Sequence, residues 1–146
     1  MKKLLLILFL SSFFIHQSQS QGFSIVGTWK QVSYKTIKNG HSVYNMTNSG
    51  NGEQLKSWSK ESFIFAGKSI DNDNNVSRSF GNGNYSLHGN HYIENIKVHV
   101  SPGYEGKSLK FYMELKGDTL TQIFPVNNDW SYDKDNCWIE KFIKVN

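Results

Sequence analysis

One carboxylate, Glu94, falls among apolar residues in a segment whose side chains alternate in character. Four residues share its face of the predicted strand: Tyr92, Ile96, Val98 and Val100. Polar residues occupy the opposite face: His91, Asn95, Lys97 and His99. If the Glu94 face lines an interior, the carboxyl must be paired, hydrogen-bonded or protonated, because an unpaired buried charge is costly. Two interpretations stay open: a group that orients a ligand or moves a proton, and a structural carboxylate satisfied by a lysine, a tyrosine or water.

Other residue types that could support chemistry are present, but without the required spacing. His88 and His91 are three residues apart across a predicted turn, which fixes neither convergence of the rings nor a third metal ligand. No catalytic Ser-His-Asp arrangement, nucleophile elbow or Gly-rich phosphate loop can be identified, because the Ser, His and Asp residues are scattered. A small hydrolase or isomerase that uses Glu94 with His91 or a tyrosine is a further alternative, but it needs His91 on the same face as Glu94, and their odd separation opposes that. We therefore predict no enzyme, no metal site and no cofactor.

A single cysteine and a weak charge exclude further classes of protein. Cys137 has no partner for an internal disulfide or a thiolate zinc site, so a small buried hydrophobe is expected there. The net charge is +4, two units of which come from Lys2 and Lys3. Basic residues are scattered along the chain, so we predict no nucleic-acid partner.

The N-terminus has the pattern of a signal peptide. Two lysines precede an apolar stretch over residues 4–15 that is broken only by two serines and is too short to span a bilayer. Ser18 and Ser20 are small residues at the positions that signal peptidase requires, which predicts cleavage before Gln21. The expected product is periplasmic or secreted, with no membrane insertion after cleavage.

Residues 21–146 have the size of one domain, and their pattern predicts an all-β fold. The predicted strands cover residues 26–34, 55–58, 62–66, 84–87, 91–100, 109–115, 119–124 and 137–145. Two polar loops, 38–52 and 67–82, and an irregular stretch after Pro125 separate some of them. About eight strands in sequential hairpins predict an antiparallel up-and-down barrel, which closes with room for one small ligand.

A short motif near the start of this domain adds a resemblance. The tetrapeptide Gly27-Thr28-Trp29-Lys30 resembles the Gly-x-Trp signature of lipocalins and fatty-acid-binding proteins. Further segments resemble small exported bacterial lipocalin-like (calycin-type) domains, which have no agreed function: 83–87, Gly89, 92–94, 116–120 and 140–145. The resemblance implies a non-catalytic barrel in which Trp29 plugs one end and a basic residue of the last strand, matched by Lys144, packs over it. The helix pair and paired basic residues of fatty-acid carriers have no counterpart here.

These observations lead to one expected function and one alternative. The first is an extracytoplasmic protein that holds a small, mostly apolar ligand in the barrel, with Glu94 and tyrosines at its polar end. The predicted ligand-binding residues are Glu94, Tyr92, Tyr85, Phe63, Phe65, Phe111 and Met113. Aromatic residues in or beside loops could stack on a ligand: Trp58, Trp130 and Tyr132. The alternative is a structural or protein-interaction barrel with a filled core, which binds a protein partner through loops 38–52 and 67–82.

Overall fold

The computed structural model describes residues 23–47, 52–70 and 73–145. Within these ranges the chain forms nine strands and one short 3-10 helix, Pro102–Tyr104. The strands are β1 (Gly27–Lys38), β2 (His41–Thr47), β3 (Gly52–Trp58), β4 (Ser62–Ile70), β5 (Val76–His88), β6 (His91–His99), β7 (Ser108–Lys116), β8 (Thr119–Phe124) and β9 (Cys137–Lys144). No helix in the described part of the chain is long and apolar enough to cross a membrane. The predicted signal peptide, residues 1–20, lies outside the described residues.

The nine strands close into an antiparallel barrel with eight strand positions. From β3 to β9 each strand pairs with the next in sequence, and β1 pairs with both β3 and β9. Residues 27–30 of β1 pair with β3, and residues 33–38 pair with β2 on the same edge. Strands β2 and β3 therefore act as two pieces of one barrel strand. The predicted all-β, up-and-down barrel is confirmed, and its closure leaves no free sheet edge between β1 and β9.

Two segments predicted as loops are largely strands. The predicted loop 38–52 contains β2, which follows a two-residue turn in which Asn39 and Gly40 have φ values of 50° and 75°. Such a turn matches the twist of a hairpin. The predicted loop 67–82 contains the end of β4 and the start of β5, which pair residue by residue. Both predictions are wrong. These strand ends are polar and lack alternating apolar side chains, but backbone hydrogen bonds to the neighbouring strand stabilise them.

One end of the barrel is closed in the manner that the sequence predicted. Trp29 is only 3% exposed, and its Nε1 donates to the carbonyl oxygen of Ile25 at 2.8 Å. The residue opposite Trp29 on β9 is Lys144, whose Nζ lies 5.8 Å from the centre of the indole. Gly27 has a φ of 129°, and a Cβ there would lie 2.8 Å from Cε of Lys144. The glycine thus leaves room for the lysine stem that covers the tryptophan.

The half of the barrel next to Trp29 is packed solid. Large side chains from six strands fill it: Trp58, Phe63, Tyr92, Met113, Leu120 and Phe142. The rings of Trp58, Tyr92 and Phe142 meet edge to face at 6.0–6.4 Å between centroids. Edge-to-face contacts are a favourable arrangement of aromatic rings. This half therefore provides the hydrophobic core of the barrel.

Candidate functional site

The half of the barrel away from Trp29 contains a cavity of about 330 Å³. Its apolar walls come from strands of the barrel and the 3-10 helix: Phe65, Ile96, Tyr104, Leu109, Phe111, Phe124 and Trp138. Polar side chains line the rest: Tyr34, Gln54, Lys56, Ser79, Glu94, His99, Gln122 and Glu140. An apolar cavity with a few convergent polar groups is the usual form of a small-molecule site.

A buried ion pair forms the polar floor of the cavity. Lys56 and Glu94 are 4% and 3% exposed, and Nζ of Lys56 donates to Oε1 of Glu94. The same ammonium lies 3.4 Å from Oε1 of Gln122. Five aromatic rings surround it, with centroids at 5.1–6.0 Å: Trp58, Phe63, Phe65, Tyr92 and Phe111. The lysine is therefore held by cation–π contacts as well as by the carboxylate.

This pairing bears on both interpretations of Glu94. The sequence placed Glu94 inward, and its burial confirms that placement. The partner is a lysine, as the structural interpretation allowed, so the carboxylate is compensated within the barrel. Glu94 also borders the cavity, where it could contact a ligand. Its role in orienting a ligand therefore stays a prediction. Lys56 is not among the predicted site residues, although it lies two residues before the inward-facing Trp58 and therefore shares its strand face.

A second carboxylate, Glu140, lies on the same side of the cavity without a cation beside it. Its Oε1 accepts from Nε2 of Gln31 at 2.9 Å, and its Oε2 accepts from Nε2 of Gln122 at 3.2 Å. Both donors are neutral amides. Among the described residues, no lysine, arginine or histidine nitrogen lies within ion-pair distance of it. Burial raises the pKa of Glu140, and the Glu94 charge adds to that rise, while Lys56 and the Gln31 hydrogen bond oppose it.

Glu140 could have been found from the sequence. It lies four residues before Lys144, which was placed over Trp29, so both side chains must lie on the inner face of the last strand. Tyr34 on β1 pairs directly opposite Glu140. Burial raises the pKa of the Tyr34 hydroxyl, and the Glu140 charge contributes to the rise, so this group stays neutral beside the carboxylate.

A row of aromatic rings leads from the cavity floor to its rim. The ring centroids of Phe111 and Phe124 are 5.2 Å apart, and those of Phe124 and Trp138 are 5.1 Å apart. Trp138 is 38% exposed, so the row ends at solvent. A flat apolar molecule entering the cavity would meet these three rings in order.

His99 enters the cavity because β6 contains a bulge. Gly83 pairs with Ile96, but Asn82 pairs with Val98, so Lys97 is an extra residue in β6. After this bulge, the residues of β6 that strict alternation would direct outward are directed inward, and the reverse. His99 packs against Phe65 at 5.8 Å between centroids, and its Nδ1 accepts the backbone N–H of Ser101 at 2.9 Å.

The predicted strand face of Glu94 is correct only up to this bulge. The alternation predicts Val98 and Val100 on the inner face, but they are 41% and 38% exposed, and it predicts His99 outside, but this side chain lines the cavity. These three predictions are wrong because a strict period of two cannot represent an inserted residue.

The structure divides the predicted ligand-binding residues between the two halves of the barrel. Glu94, Phe65 and Phe111 border the cavity. The others face inward but belong to the packed half near Trp29: Phe63, Tyr85, Tyr92 and Met113. Burial raises the pKa of Tyr92 well above its ordinary value, and its hydroxyl accepts from Nε1 of Trp58 at 2.7 Å. Tyr92 is therefore an uncharged residue of the hydrophobic core.

The aromatic residues predicted in or beside loops pack against the protein itself. Trp58 is 2% exposed and belongs to the core, so its prediction as an exposed stacking residue is wrong. Trp130 stacks on His91 at 4.1 Å between centroids, and Tyr132 packs on Tyr112 at 5.5 Å, both on the outer barrel surface. His91 is thus outside the barrel and Glu94 inside, so the two do not form an acid–base pair.

Two further groups of sequence predictions concern metals and the cysteine. Within residues 23–47, 52–70 and 73–145, no cluster of three or more His, Cys, Asp or Glu side chains could hold a metal ion.

Cys137 is a free thiol, 2% exposed, as expected for a small buried hydrophobe. Burial raises its pKa, and Asp133 and Asp135 add to the rise, so the reactive thiolate form is disfavoured.

Fold and site together define a class. A closed eight-stranded up-and-down barrel, covered at one end by a lysine over a tryptophan and hollow at the other, is lipocalin-like. This fold commonly binds small hydrophobic ligands and is typically not enzymatic. The filled core of the alternative interpretation is absent from the half that holds the cavity.

Comparisons with known proteins add only distant similarities. No protein-family model and no curated protein matches the chain. An uncharacterized protein from Bacteroides eggerthii is similar in structure, with a TM-score of 0.47 and 13% identity over 84% of this chain and 100% of that one. Apocrustacyanin C2 is similar with a TM-score of 0.40 and 13% identity, over 82% of this chain and 60% of that one. Similarities of this size assign neither a family nor a function.

Proposed function

We propose that this protein is an extracytoplasmic, non-enzymatic binding protein that holds one small, mostly apolar molecule in the hollow half of its barrel. The cavity of about 330 Å³ is the observation that carries the proposal. It falls near the lower end of the usual size of ligand sites, roughly 300–1,000 Å³. A compact molecule with one or two rings fits this size better than a long acyl chain.

The distribution of polar groups supports one orientation of such a ligand. The aromatic row of Phe111, Phe124 and Trp138 would contact its apolar body. The polar floor would contact its polar end, because Lys56, Glu94, Gln122 and Glu140 are linked there through ion pairing and hydrogen bonds. Export from the cytoplasm is supported by the N-terminal pattern of two lysines, an apolar stretch and two spaced serines.

Native mass spectrometry and calorimetry test the proposal together. The protein purified from the periplasm or the culture medium should carry a non-covalent small molecule, or should bind 2-naphthol, a neutral and mostly apolar probe. Leu109→Trp should weaken 2-naphthol binding about tenfold or more, because Leu109 borders the cavity and a larger side chain there takes its volume.

The matched control places the same substitution outside the barrel. Leu55 is 49% exposed on the outer face of β3, so Leu55→Trp should leave 2-naphthol binding unchanged. The proposal fails if no molecule copurifies and 2-naphthol does not bind. It also fails if both leucine variants bind 2-naphthol as the unmodified protein does.

A further inference from the structure

We propose that the cavity selects small amines, in which a protonated nitrogen pairs with Glu140 and an apolar body lies against Phe124 and Trp138. This inference rests on the proposed function and names the chemical class of the ligand. It follows from the charges that line the cavity, from the position of Glu140 and from the aromatic row beside it.

The charges that line the cavity do not balance. Two carboxylates, Glu94 and Glu140, face one ammonium, Lys56. The Lys56 ammonium is used by Glu94, which it contacts directly, and by the Gln122 carbonyl. Glu140 receives only amide hydrogen bonds from Gln31 and Gln122. A cation on the ligand would compensate the second carboxylate, whereas a neutral ligand would leave it desolvated and unpaired.

The surroundings of Glu140 suit an ammonium group on an apolar body. Glu140 borders both the cavity and the adjoining recess near the rim, so its carboxylate is reachable from the opening. Trp138 lies two residues earlier on the same face of β9, and its ring contacts Phe124. Cations are attracted to aromatic faces, with tryptophan the strongest partner. The ammonium would therefore lie between a carboxylate and an indole.

Three other ionisable groups near Glu140 do not supply the missing cation. Arg78 borders the recess but is exposed, so water and salt screen its charge. Lys68 pairs with Glu53 at 3.1 Å, and both side chains are more than half exposed. His99 lines the cavity, but its Nδ1 is engaged by the backbone N–H of Ser101, and among the described residues no histidine nitrogen lies within ion-pair distance of Glu140.

Three probes with one indole body separate the amine from other polar ends. Calorimetric titration should rank tryptamine, an ammonium at neutral pH, above tryptophol, its neutral alcohol, and tryptophol above indole-3-acetate. The expected difference between tryptamine and tryptophol is about tenfold or more in Kd, as for hydrogen bonds to charged groups. Glu140→Gln should remove this preference and leave the Kd of tryptophol within about threefold.

The control variant and the opposite outcomes keep this inference separate from the proposed function. Glu114→Gln, on the outer surface where Glu114 pairs with Lys116, should retain the full amine preference. Equal binding of tryptamine and tryptophol overturns the inference, and so does an amine preference that survives Glu140→Gln. If 2-naphthol binds while tryptamine does not, the binding function stands and the selection of amines is wrong. If neither binds, both fail.

Discussion

At the scale of single residues, the ion pair between Lys56 and Glu94 governs the interior. We expect Glu94→Gln to lower the free energy of unfolding by roughly 3–5 kcal/mol, because it leaves the Lys56 ammonium buried without an anionic partner. Urea denaturation followed by circular dichroism measures the change. The surface pair of Glu114 and Lys116, with side chains 32% and 78% exposed, is the control, and Glu114→Gln should change stability by about 0.5 kcal/mol or less.

A double variant distinguishes a buried charge from lost packing. Lys56→Met combined with Glu94→Leu removes both charges and keeps similar volume, so it should recover most of the stability lost in Glu94→Gln. A double variant no more stable than Glu94→Gln would contradict this expectation and would attribute the loss to packing rather than to the unpaired ammonium.

Glu140 should act on stability in the opposite direction. Its folded pKa is raised above the ordinary 4.5, so its contribution to stability is complete below that pH and is lost as the pH rises through the raised value. Glu140→Gln cannot ionise and should be at least as stable as the unmodified protein near about pH 7. The side-chain amide of Gln31, which donates to Glu140, can rotate so that it hydrogen-bonds with the amide introduced at position 140.

The difference between the two proteins over pH isolates this single group. The stability advantage of Glu140→Gln should grow as the pH rises above 4.5, as measured by urea denaturation at several pH values. An unmodified protein that gains stability relative to the variant with rising pH would contradict the raised pKa. Glu140 borders the cavity, so a binding role would explain why the chain keeps a residue that lowers stability.

Sequence reasoning reached some of these residues and missed others for a definable reason. Trp29 and Lys144 were predicted together because they occupy fixed positions in a known motif. Glu94 was found because it interrupts an apolar strand face. Lys56 leaves no visible break in the pattern, because Gln54 and Ser57 already make its strand polar. Glu140 does interrupt an apolar strand face, between Trp138 and Phe142, and could have been found by the argument that found Glu94.

At the scale of elements, β4 and β5 pack aromatic rings over glycines. Phe63 pairs with Gly83 and Phe65 with Gly81, and the two rings are parallel within 4°. A Cβ at Gly83 would lie 2.1 Å from the backbone oxygen of Asn95, and one at Gly81 would lie 2.5 Å from Cε1 of Phe65. The glycines therefore let these strands approach their neighbours and let the rings lie flat.

We expect Gly83→Ala to cost about 1–3 kcal/mol of stability, because the obstructing atom is backbone and moves only if the β5–β6 pairing shifts. Thermal and urea denaturation measure the cost. A Cβ added at Gly103 would meet no atom within 4 Å, so Gly103→Ala should stay within about 0.5 kcal/mol of the unmodified protein. Equal stability of the two alanine variants would contradict the close approach at Gly83.

The strands were predictable where their two faces differ, and unpredictable where they do not. The predicted strand 119–124 has the same bounds as β8, since its inward positions Leu120 and Gln122 alternate with partly exposed threonines. The start of β5 was missed because residues 76–78 are exposed on both faces. The Asn39-Gly40 turn was a readable hairpin signal that the surrounding polar residues obscured.

At the scale of the whole molecule, the first and last strands must meet for the barrel to close. We expect Trp29→Ala to cost about 3–5 kcal/mol, because it removes a buried indole between β1 and β9. Trp130→Ala is the matched control, since Trp130 stacks on His91 outside the barrel, and should cost about 0.5–1.5 kcal/mol. Similar losses in both variants, measured by urea denaturation, would contradict the role of Trp29 as an end plug.

Fold and cavity differ in how far the sequence predicts them. The strand order and the closure of a barrel with about eight strand positions follow from turns, alternation and the Trp29 motif, although β2 lies in a predicted loop. The cavity does not follow from them, because the same aromatic residues could have filled the barrel or lined a space. The outcome depends on side-chain volumes summed across strands, on Gly81 and Gly83, and on the bulge at Lys97 that turns His99 inward.

The four tryptophans of this chain occupy four different surroundings. Trp29 and Trp58 are buried in the closed half, Trp130 is stacked on the outside, and Trp138 alone borders the cavity at the solvent-exposed rim. Intrinsic fluorescence therefore has one emitter that responds to occupancy. A molecule entering the cavity should shift Trp138 emission to shorter wavelength and shield Trp138 from acrylamide quenching. In the Trp138→Phe variant, the emission spectrum should not change when the molecule binds.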